Sequence, residues 1–374
     1  MSAVSSGRVL VAMSGGVDSS VAAALLHEQG YDLVGVTLHL WDAEGAEKVG
    51  RCCAPEDRED AKRSADAIGF PHYVIDEREA FRATVVNPFV EAYRGGSTPS
   101  PCVACNQQVK LGRLVQLADA FGCGFIATGH YARIEVRENG DVVLGRGIDA
   151  RKDQSYFLHG VPRSILARMK FPLGNMEKTQ TRLEGQRLHV PNWEKKDSME
   201  LCFVPDGNIA EFVDRELKGD AAHAGKLVEE GKPIAAHPGV HHFTIGQRKG
   251  LGLGGGPPRY VLKILPDTAE VIVGPESGLL GDRVSVPRAT WLNQAPTQPF
   301  DAMLQIRYKH RAAMARITPT AQGFEARFHE PQRALAPGQS AVIYLGDEVV
   351  GGGTMGHVHE APTNTAPRDD APLA

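Results

Sequence analysis

Short apolar runs alternate with stretches of helical period through the first 130 residues. Val9 to Met13 reads as a buried strand, Ser19 to Gln29 as a helix stopped by Gly30, and Leu33 to Leu40 as a second strand. Pro55 to Ile68 predicts a helix closed by Gly69, and His72 to Ile75 a third strand. Glu79 to Tyr93 and Asn106 to Phe121 continue the helices, and Phe125 to Thr128 continues the strands. Strands alternating with helices in this way predict an α/β fold, a Rossmann-like parallel sheet covered on both faces, with its ligand at the carboxyl ends of the strands.

The pattern changes after His130. Ile134 to Val136 and Val142 to Leu144 predict a hairpin across Glu138-Asn139-Gly140-Asp141, and Glu177 to Leu188 has helical period. Residues 208–280 hold one helix candidate, Ile209 to Leu217, among many Gly, Pro and His residues. Beyond them Arg283 to Val286, Ala302 to Tyr308, Ala312 to Ile317, Gly323 to Phe328 and Ser340 to Tyr344 alternate with turn residues, which predicts a small C-terminal β-barrel. The expected organisation is a catalytic sheet domain at 1–205, a small central domain at 206–280, the barrel at 281–360 and a disordered tail at 361–374. No internal repeat is evident.

Composition adds limits. With about 150 residues per domain, 374 residues suit two or three cores, and 42% hydrophobic with 23% charged residues is ordinary globular usage. No apolar run approaches the roughly 20 residues of a membrane helix. The first residues lack a basic segment followed by a long apolar one, so a cytoplasmic setting is expected, and the six cysteines read as reduced thiols. A net charge of −4 does not mark a nonspecific nucleic-acid binder, although a local basic face remains compatible with it.

The sharpest local signal is Ala12-Met13-Ser14-Gly15-Gly16-Val17-Asp18-Ser19, a strand end, a glycine turn carrying hydroxyls, and a helix start. Two glycines let backbone amides converge on an anion, Ser14 and Ser19 can donate, and the helix terminus adds partial positive charge. A bare Gly-Gly would read as a capped turn; the whole string is similar to the PP-loop of ATP pyrophosphatases, which cleave ATP between the α and β phosphates. No G-x-x-x-x-G-K-[ST] occurs, which disfavours Walker-type γ-phosphate chemistry. Gly250 to Gly255 matches G-x-G-x-x-G but leads into Pro257 and Pro258, so it reads as a loop.

Two cysteines are candidate reactive thiols. Cys105 stands just before the helix expected from Asn106, where the dipole would lower its pKa, and Cys202 follows a basic stretch, Lys195-Lys196-Asp197. Cys52, Cys53, Cys102 and Cys105 make a poor tetrahedral set, a redox pair at Cys102 and Cys105 lacks its fold context, and Cys123 reads as packing. His130 and the pair His241-His242 read as neutral imidazoles satisfied by local hydrogen bonds, so no tightly bound protein metal is expected.

Several unlinked strings together resemble the bacterial tRNA-specific 2-thiouridylases from Val9 to about Met355. They are the PP-loop, Thr98 to Asn106, Ala127 to Tyr131, Lys152-Asp153-Gln154-Ser-Tyr, Lys196-Asp197-Ser198 with Cys202-Phe203, Thr244 to Gly252, and Ile306-Arg307-Tyr308. The resemblance implies ATP with Mg2+ against Ala12 to Ser19, Leu38 and Gly129, and a wobble uridine of tRNA flipped into a pocket at Ser100, Pro101 and Cys102. It implies adenylation of the C2 oxygen and attack by a persulfide on Cys202, delivered by a sulfur-relay protein or cysteine desulfurase. Cys105 then resolves the sulfur, by a disulfide with Cys202 or by releasing sulfide. Implied tRNA contacts are Lys152, Asp153, Gln154, Arg307 and Tyr308; residues 301–316 carry a net charge of +3 with an interleaved aromatic, which suits phosphate contact or a solvated strand face. The sequence departs from some relatives at Cys102, where they have aspartate. Rival readings are another PP-loop enzyme, such as an ammonia-using ligase or a thiolase for another base position, and an RNA-binding module with a vestigial loop.

Overall fold

The computed structural model describes residues 7–42, 55–197, 201–204, 207–217 and 224–356. The expected tail at 361–374, and Cys52, Cys53 and Ser198, lie outside the described residues.

The first layer runs β1 (Arg8–Ala12), α1 (Val17–Glu28), β2 (Asp32–His39), α2 (Pro55–Ile68) and β3 (His72–Asp76). Two long helical stretches follow. One is α3 (Arg78–Phe81), a π turn at Arg82–Val86 and α4 (Asn87–Arg94). The other is α5 (Pro101–Ala104), a π turn at Cys105–Lys110 and α6 (Leu111–Ala120). Then come β4 (Phe125–Ala127), the hairpin β5 (Ala132–Val136) and β6 (Val142–Arg146), α7 (Arg163–Leu166), β7 (Met169–Lys170) and α8 (Lys178–Arg187). The sheet order is β3-β2-β1-β4-β7, with parallel pairing throughout.

Central strand β1 shows why the sequence folds this way. Val9, Leu10 and Val11 are all 0% exposed, as expected of a strand covered on both faces. Leu10 joins Leu111, Leu114 and Ala118 of α6, while Val9 and Val11 join Ala23 and Leu26 of α1 and Ala61 and Ala65 of α2. Small residues on those helix faces let them sit close on the sheet, and each buried aliphatic side chain contributes about 1.5–3 kcal/mol.

The central region contains α9 (Ile209–Leu217) and a four-stranded sheet that the sequence reading missed. Its strands are β8 (Gly225–Glu229), β9 (Lys232–His237), β10 (Tyr260–Leu265) and β11 (Glu270–Gly274), in the order β10-β11-β8-β9. The last region has β12 (Leu280–Val286), β13 (Ala289–Trp291), β14 (Phe300–Gln305), β15 (Ala313–Pro319), β16 (Phe324–Arg333), β17 (Ser340–Leu345) and β18 (Glu348–Thr354). They form one sheet with the β5-β6 hairpin, which pairs with β18 at Gly145 and Glu348. The hairpin thus sits where expected in the chain but belongs to the C-terminal sheet. Val142 and Leu144 pack with Val342 and Tyr344.

Candidate active site

The glycine turn lies at the carboxyl end of β1, between β2 and β4, where the Met13 amide donates to the Val36 carbonyl at 2.8 Å. Ser19 Oγ accepts from the Ser14 amide at 3.1 Å and donates to the Gly16 carbonyl at 3.1 Å, which closes the turn. Gly15 has φ +72°, and a Cβ there would fall 2.0 Å from the Asp57 carbonyl oxygen. Gly129, at the end of the neighbouring strand, lies against the start of α1; a Cβ there would be 2.7 Å from both the Asp18 carbonyl carbon and the Ser19 nitrogen. Ala12, Gly16, Asp18, Leu38 and Gly129 are half-buried and Ser14 is exposed, while Met13, Gly15, Val17 and Ser19 are buried. The loop therefore presents an open backbone face over a rigid base.

That base is fixed from the far side. Asn192 Nδ2 donates to the Gly15 carbonyl at 2.9 Å and to Ser20 Oγ at 3.2 Å. Lys195 Nζ reaches the same carbonyl at 3.1 Å and ion-pairs with Asp57 and Asp60. Burial depresses the Lys195 pKa, but the two carboxylates overcome this and raise it.

Four residues beside the loop build a charged cluster. Lys178 Nζ lies 2.6 Å from Asp18 Oδ1 and 2.8 Å from Asp197 Oδ1, and its side chain is only 11% exposed. Lys152 pairs with Asp197 Oδ2 at 2.5 Å and Arg182 with Oδ1 at 3.1 Å. Burial raises the Asp197 pKa, but hydrogen bonds from Lys152 and Lys178 more than offset it and hold the carboxyl below its usual range. The Tyr131 hydroxyl donates to Asp18 Oδ1 at 2.8 Å, and burial followed by the Asp18 charge pushes its pKa well up. Lys178 opens α8, the end at which a helix dipole disfavours a cation. Sequence reasoning missed it, because its burial is set by contacts across the fold and no local motif marks it.

The two candidate thiols converge on one apolar cluster. Cys105, 5% exposed, and half-buried Cys202 both belong to the cluster of Phe81, Phe89, Phe203 and Phe212, with Leu38 of β2 at its edge. Phe203, next to Cys202, stands edge-on to Phe89 at 5.0 Å and Phe212 at 5.4 Å. Both π turns serve this cluster, one through Val85 and Val86, the other through Cys105 and Val109. The sequence reading placed Cys105 ahead of its helix. The helix instead starts at Pro101, because proline suits the first helical position, so Cys102 is in the first turn and Cys105 beyond it. The dipole argument thus passes to exposed Cys102, since its effect fades within the first turn.

The segment leading into Ser100, Pro101 and Cys102 meets the C-terminal strands. The Thr98 amide donates to the Pro337 carbonyl at 3.0 Å, and Gln339 Nε2 donates to the Thr98 carbonyl at 2.8 Å. Tyr156 hydrogen-bonds the Ser100 side chain and donates to the Ser340 carbonyl at 2.9 Å. The Tyr308 ring lies 4.4 Å from that of Phe157, and burial, then the charges of Asp153 and Cys102, raise its pKa. Half-buried Arg307 has its pKa lowered by burial and by Arg333. Asp153 is buried and saturated: it accepts from Arg146 at 2.8 Å, the Gly147 amide at 3.0 Å, and the Ser155 amide and hydroxyl at 3.1 and 3.0 Å. Gln154 Oε1 accepts from the Tyr131 amide at 3.0 Å. Asp153 and Gln154 thus fix the segment that presents Lys152. His130 bonds Thr128 Oγ1 at 2.7 Å, and burial pushes its pKa down to about 3.

Three family models match the chain: a tRNA methyl transferase HUP domain over residues 7–206, a tRNA methyl transferase PRC-barrel domain over 210–275 and an aminomethyltransferase beta-barrel domain over 282–355. The chain is 48% identical to a tRNA-specific 2-thiouridylase MnmA of Sorangium cellulosum over 360 residues, 94% of this chain and 92% of the relative. It is 44% identical to the protein of that name from Acidithiobacillus ferrooxidans, over 92% of this chain and 97% of the relative. Among solved structures, a 4-thiouridine synthetase–RNA complex with bound ATP covers 57% of this chain and 50% of its own at 15% identity and a TM-score of 0.33, too slight to build on. With nearly the whole chain matched at such identity, it belongs to the tRNA-specific 2-thiouridylase family.

Proposed function

We propose that the chain uses ATP to replace the C2 oxygen of the wobble uridine of tRNA with sulfur. The observation that carries this reading is the placing of Cys105 and Cys202 in one apolar cluster with Leu38, at the same end of the sheet as the phosphate loop. A ligase that uses ammonia has no need of that pair.

ATP lies with its phosphates over the backbone face of Ser14 to Ser19 and its adenosine between Leu38 and Gly129. The two positions where a Cβ would strike backbone, Gly15 and Gly129, fit a loop that keeps its amides directed at an anion. Asp18 is the hard oxygen donor that fits Mg2+, which would neutralise phosphate charge. Lys178, held by Asp18 and Asp197, faces the phosphates and stabilises charge as it moves onto the departing pyrophosphate.

The uridine enters the pocket of Ser100, Pro101 and Cys102, where the rings of Tyr308 and Phe157 offer a stacking wall. Its C2 oxygen attacks the α-phosphorus and pyrophosphate leaves. The terminal sulfur of a Cys202 persulfide attacks C2, and AMP leaves with the base oxygen. The Cys105 thiolate then attacks Cys202 Sγ, forming a Cys105–Cys202 disulfide and freeing the 2-thiouridine, and a thiol reductant resets the pair; release of sulfide by Cys105 before the attack is the variant order. Apolar walls around both thiols keep water from the adenylated base. Lys152, Arg307 and Tyr308 contact the RNA, with Asp153 and Gln154 positioning Lys152. Residues 1–205 carry the chemistry, while 206–280 and the barrel at 281–360 hold the tRNA. A sulfur-relay protein or cysteine desulfurase loads Cys202 in the cytoplasm.

The test is nucleoside mass spectrometry of tRNA incubated with ATP, Mg2+ and a sulfur donor, with 18O placed at C2 of the wobble base. Sulfur at C2 and 18O in the AMP are expected; AMP free of the label would overturn the mechanism.

A further inference from the structure

Outside the active site, Asp214, His241 and His242 bring one donor atom each within 4.8 Å of one another. Asp214 is on α9, and the two histidines are in the short turn Val240–His242 that follows β9. His241 Nε2 is 2.7 Å from Asp214 Oδ1. His242 Nε2 is a buried atom 3.2 Å from Oδ2, and among the described residues it makes no well-aligned hydrogen bond. The two rings are 4.4 Å apart at 56°.

Local hydrogen bonding accounts for only part of this group. His241 is 2% exposed, and its Nδ1 has no hydrogen-bond partner among the described residues. The single carboxylate lies between two ring nitrogens and satisfies one.

We propose that His241 Nε2, His242 Nε2 and the Asp214 carboxylate bind one dication of the zinc class. Two nitrogens and one oxygen are borderline donors of the kind that zinc, cobalt and nickel accept. Tetrahedral bonds of about 2.0–2.1 Å put neighbouring donors about 3.3 Å apart, so a set that already lies within 4.8 Å, with the nitrogens 2.7 Å from Oδ1 and 3.2 Å from Oδ2, has to draw together around the ion by about an ångström. The Asp214 side chain is 49% exposed, which leaves the fourth position open to water. His237 is the next imidazole; it packs edge-on against Phe243 at 5.0 Å and stays outside the set.

The placement gives the ion a structural role. Phe212 and Val213 on α9 pack into the cluster that holds Phe203 beside Cys202. An ion joining Asp214 to the histidine turn staples α9 to the central sheet and steadies that wall.

Co2+ is the probe, because its spectrum separates nitrogen and oxygen ligation from thiolate ligation and six cysteines compete for zinc. The full chain should bind one equivalent with visible d–d bands that persist when Cys105 and Cys202 are both serine. His242→Gln and Asp214→Asn should each weaken this binding by about 10–100-fold or more, with Asp214→Glu restoring part of it. Circular dichroism matching the unmutated chain establishes that the variants fold. Equal Co2+ affinity in His242→Gln, Asp214→Asn and the unmutated chain, or a spectrum made only of thiolate charge-transfer bands, would overturn the site.

Discussion

Lowering the pH from 7 to 5 should destabilise the chain through His159, which the fold holds neutral. The residue is 1% exposed, and its Nδ1–H donates to the Tyr156 carbonyl at 2.8 Å. Gly352 of β18 is so close that a Cβ there would stand 2.7 Å from His159 Cδ2. Burial pushes its pKa down to about 4, against a smaller upward pull from the Tyr156 carbonyl. An unfolded histidine titrates near 6.5, so between pH 6.5 and 4 the unfolded chain takes up a proton that the native state refuses, and stability falls with pH across that window. At about 1.4 kcal/mol per pH unit, the loss is about 2 kcal/mol from pH 7 to 5 and levels off near 3 kcal/mol below pH 4. His159→Asn keeps a donor at the Nδ1 position and removes the titration. Urea unfolding of both proteins at both pH values, followed by tryptophan fluorescence, measures the difference. The drop in the unmutated chain should exceed that in the variant by about 2 kcal/mol, while other buried histidines, such as His130, titrate in both and cancel. Equal drops would refute the claim that this site excludes the proton.

Two further outcomes follow from the loop and its cluster. Lys178→Met should lower the rate of pyrophosphate release at saturating ATP by roughly 10²–10³-fold, the usual loss when one charge-stabilising donor is removed, whereas a rate within threefold would exclude Lys178 from the phosphates. Gly15→Ala should lower the melting temperature because its Cβ meets the Asp57 carbonyl at 2.0 Å in a left-handed backbone, whereas Gly16→Ala, whose nearest neighbour is Ser14 Oγ at 3.5 Å, should melt with the unmutated chain; equal melting of all three would remove the argument for a rigid loop base.

What was legible in the chain divides along physical lines. Strand β1 could be read because both of its faces are buried, so three consecutive aliphatic residues announce it. The glycine turn could be read because its requirement falls on backbone, and only glycine meets it at Gly15. In the central sheet β9 could not be read: it has the burial run exposed, exposed, exposed, half-buried, exposed, buried, and such a strand has no period to detect, whereas β10 and β11 carry apolar runs. The position of Cys105 was misjudged for a related reason. Pro101 marks the helix start, but the apolar period becomes clear only after the π turn, where the extra residue has shifted the buried face.

Contacts between distant segments were the least accessible, and they decide the chemistry. Lys178 reaches Asp18 from 160 residues away, and Lys195 reaches Gly15 from 180 residues away. Both lysines are otherwise common surface residues, and neither belongs to a local motif. Their shared partner is the strand-to-helix turn, and Asp197, which gathers Lys152, Lys178 and Arg182, precedes Cys202 by five positions in the chain. Charge at the turn therefore bears on Lys178 and, through it, on the Asp197 carboxylate. A nucleotide that draws Lys178 away from Asp197 would leave that carboxylate with Lys152 and Arg182, so one lysine couples the occupancy of the turn to the ion pairs of Asp197.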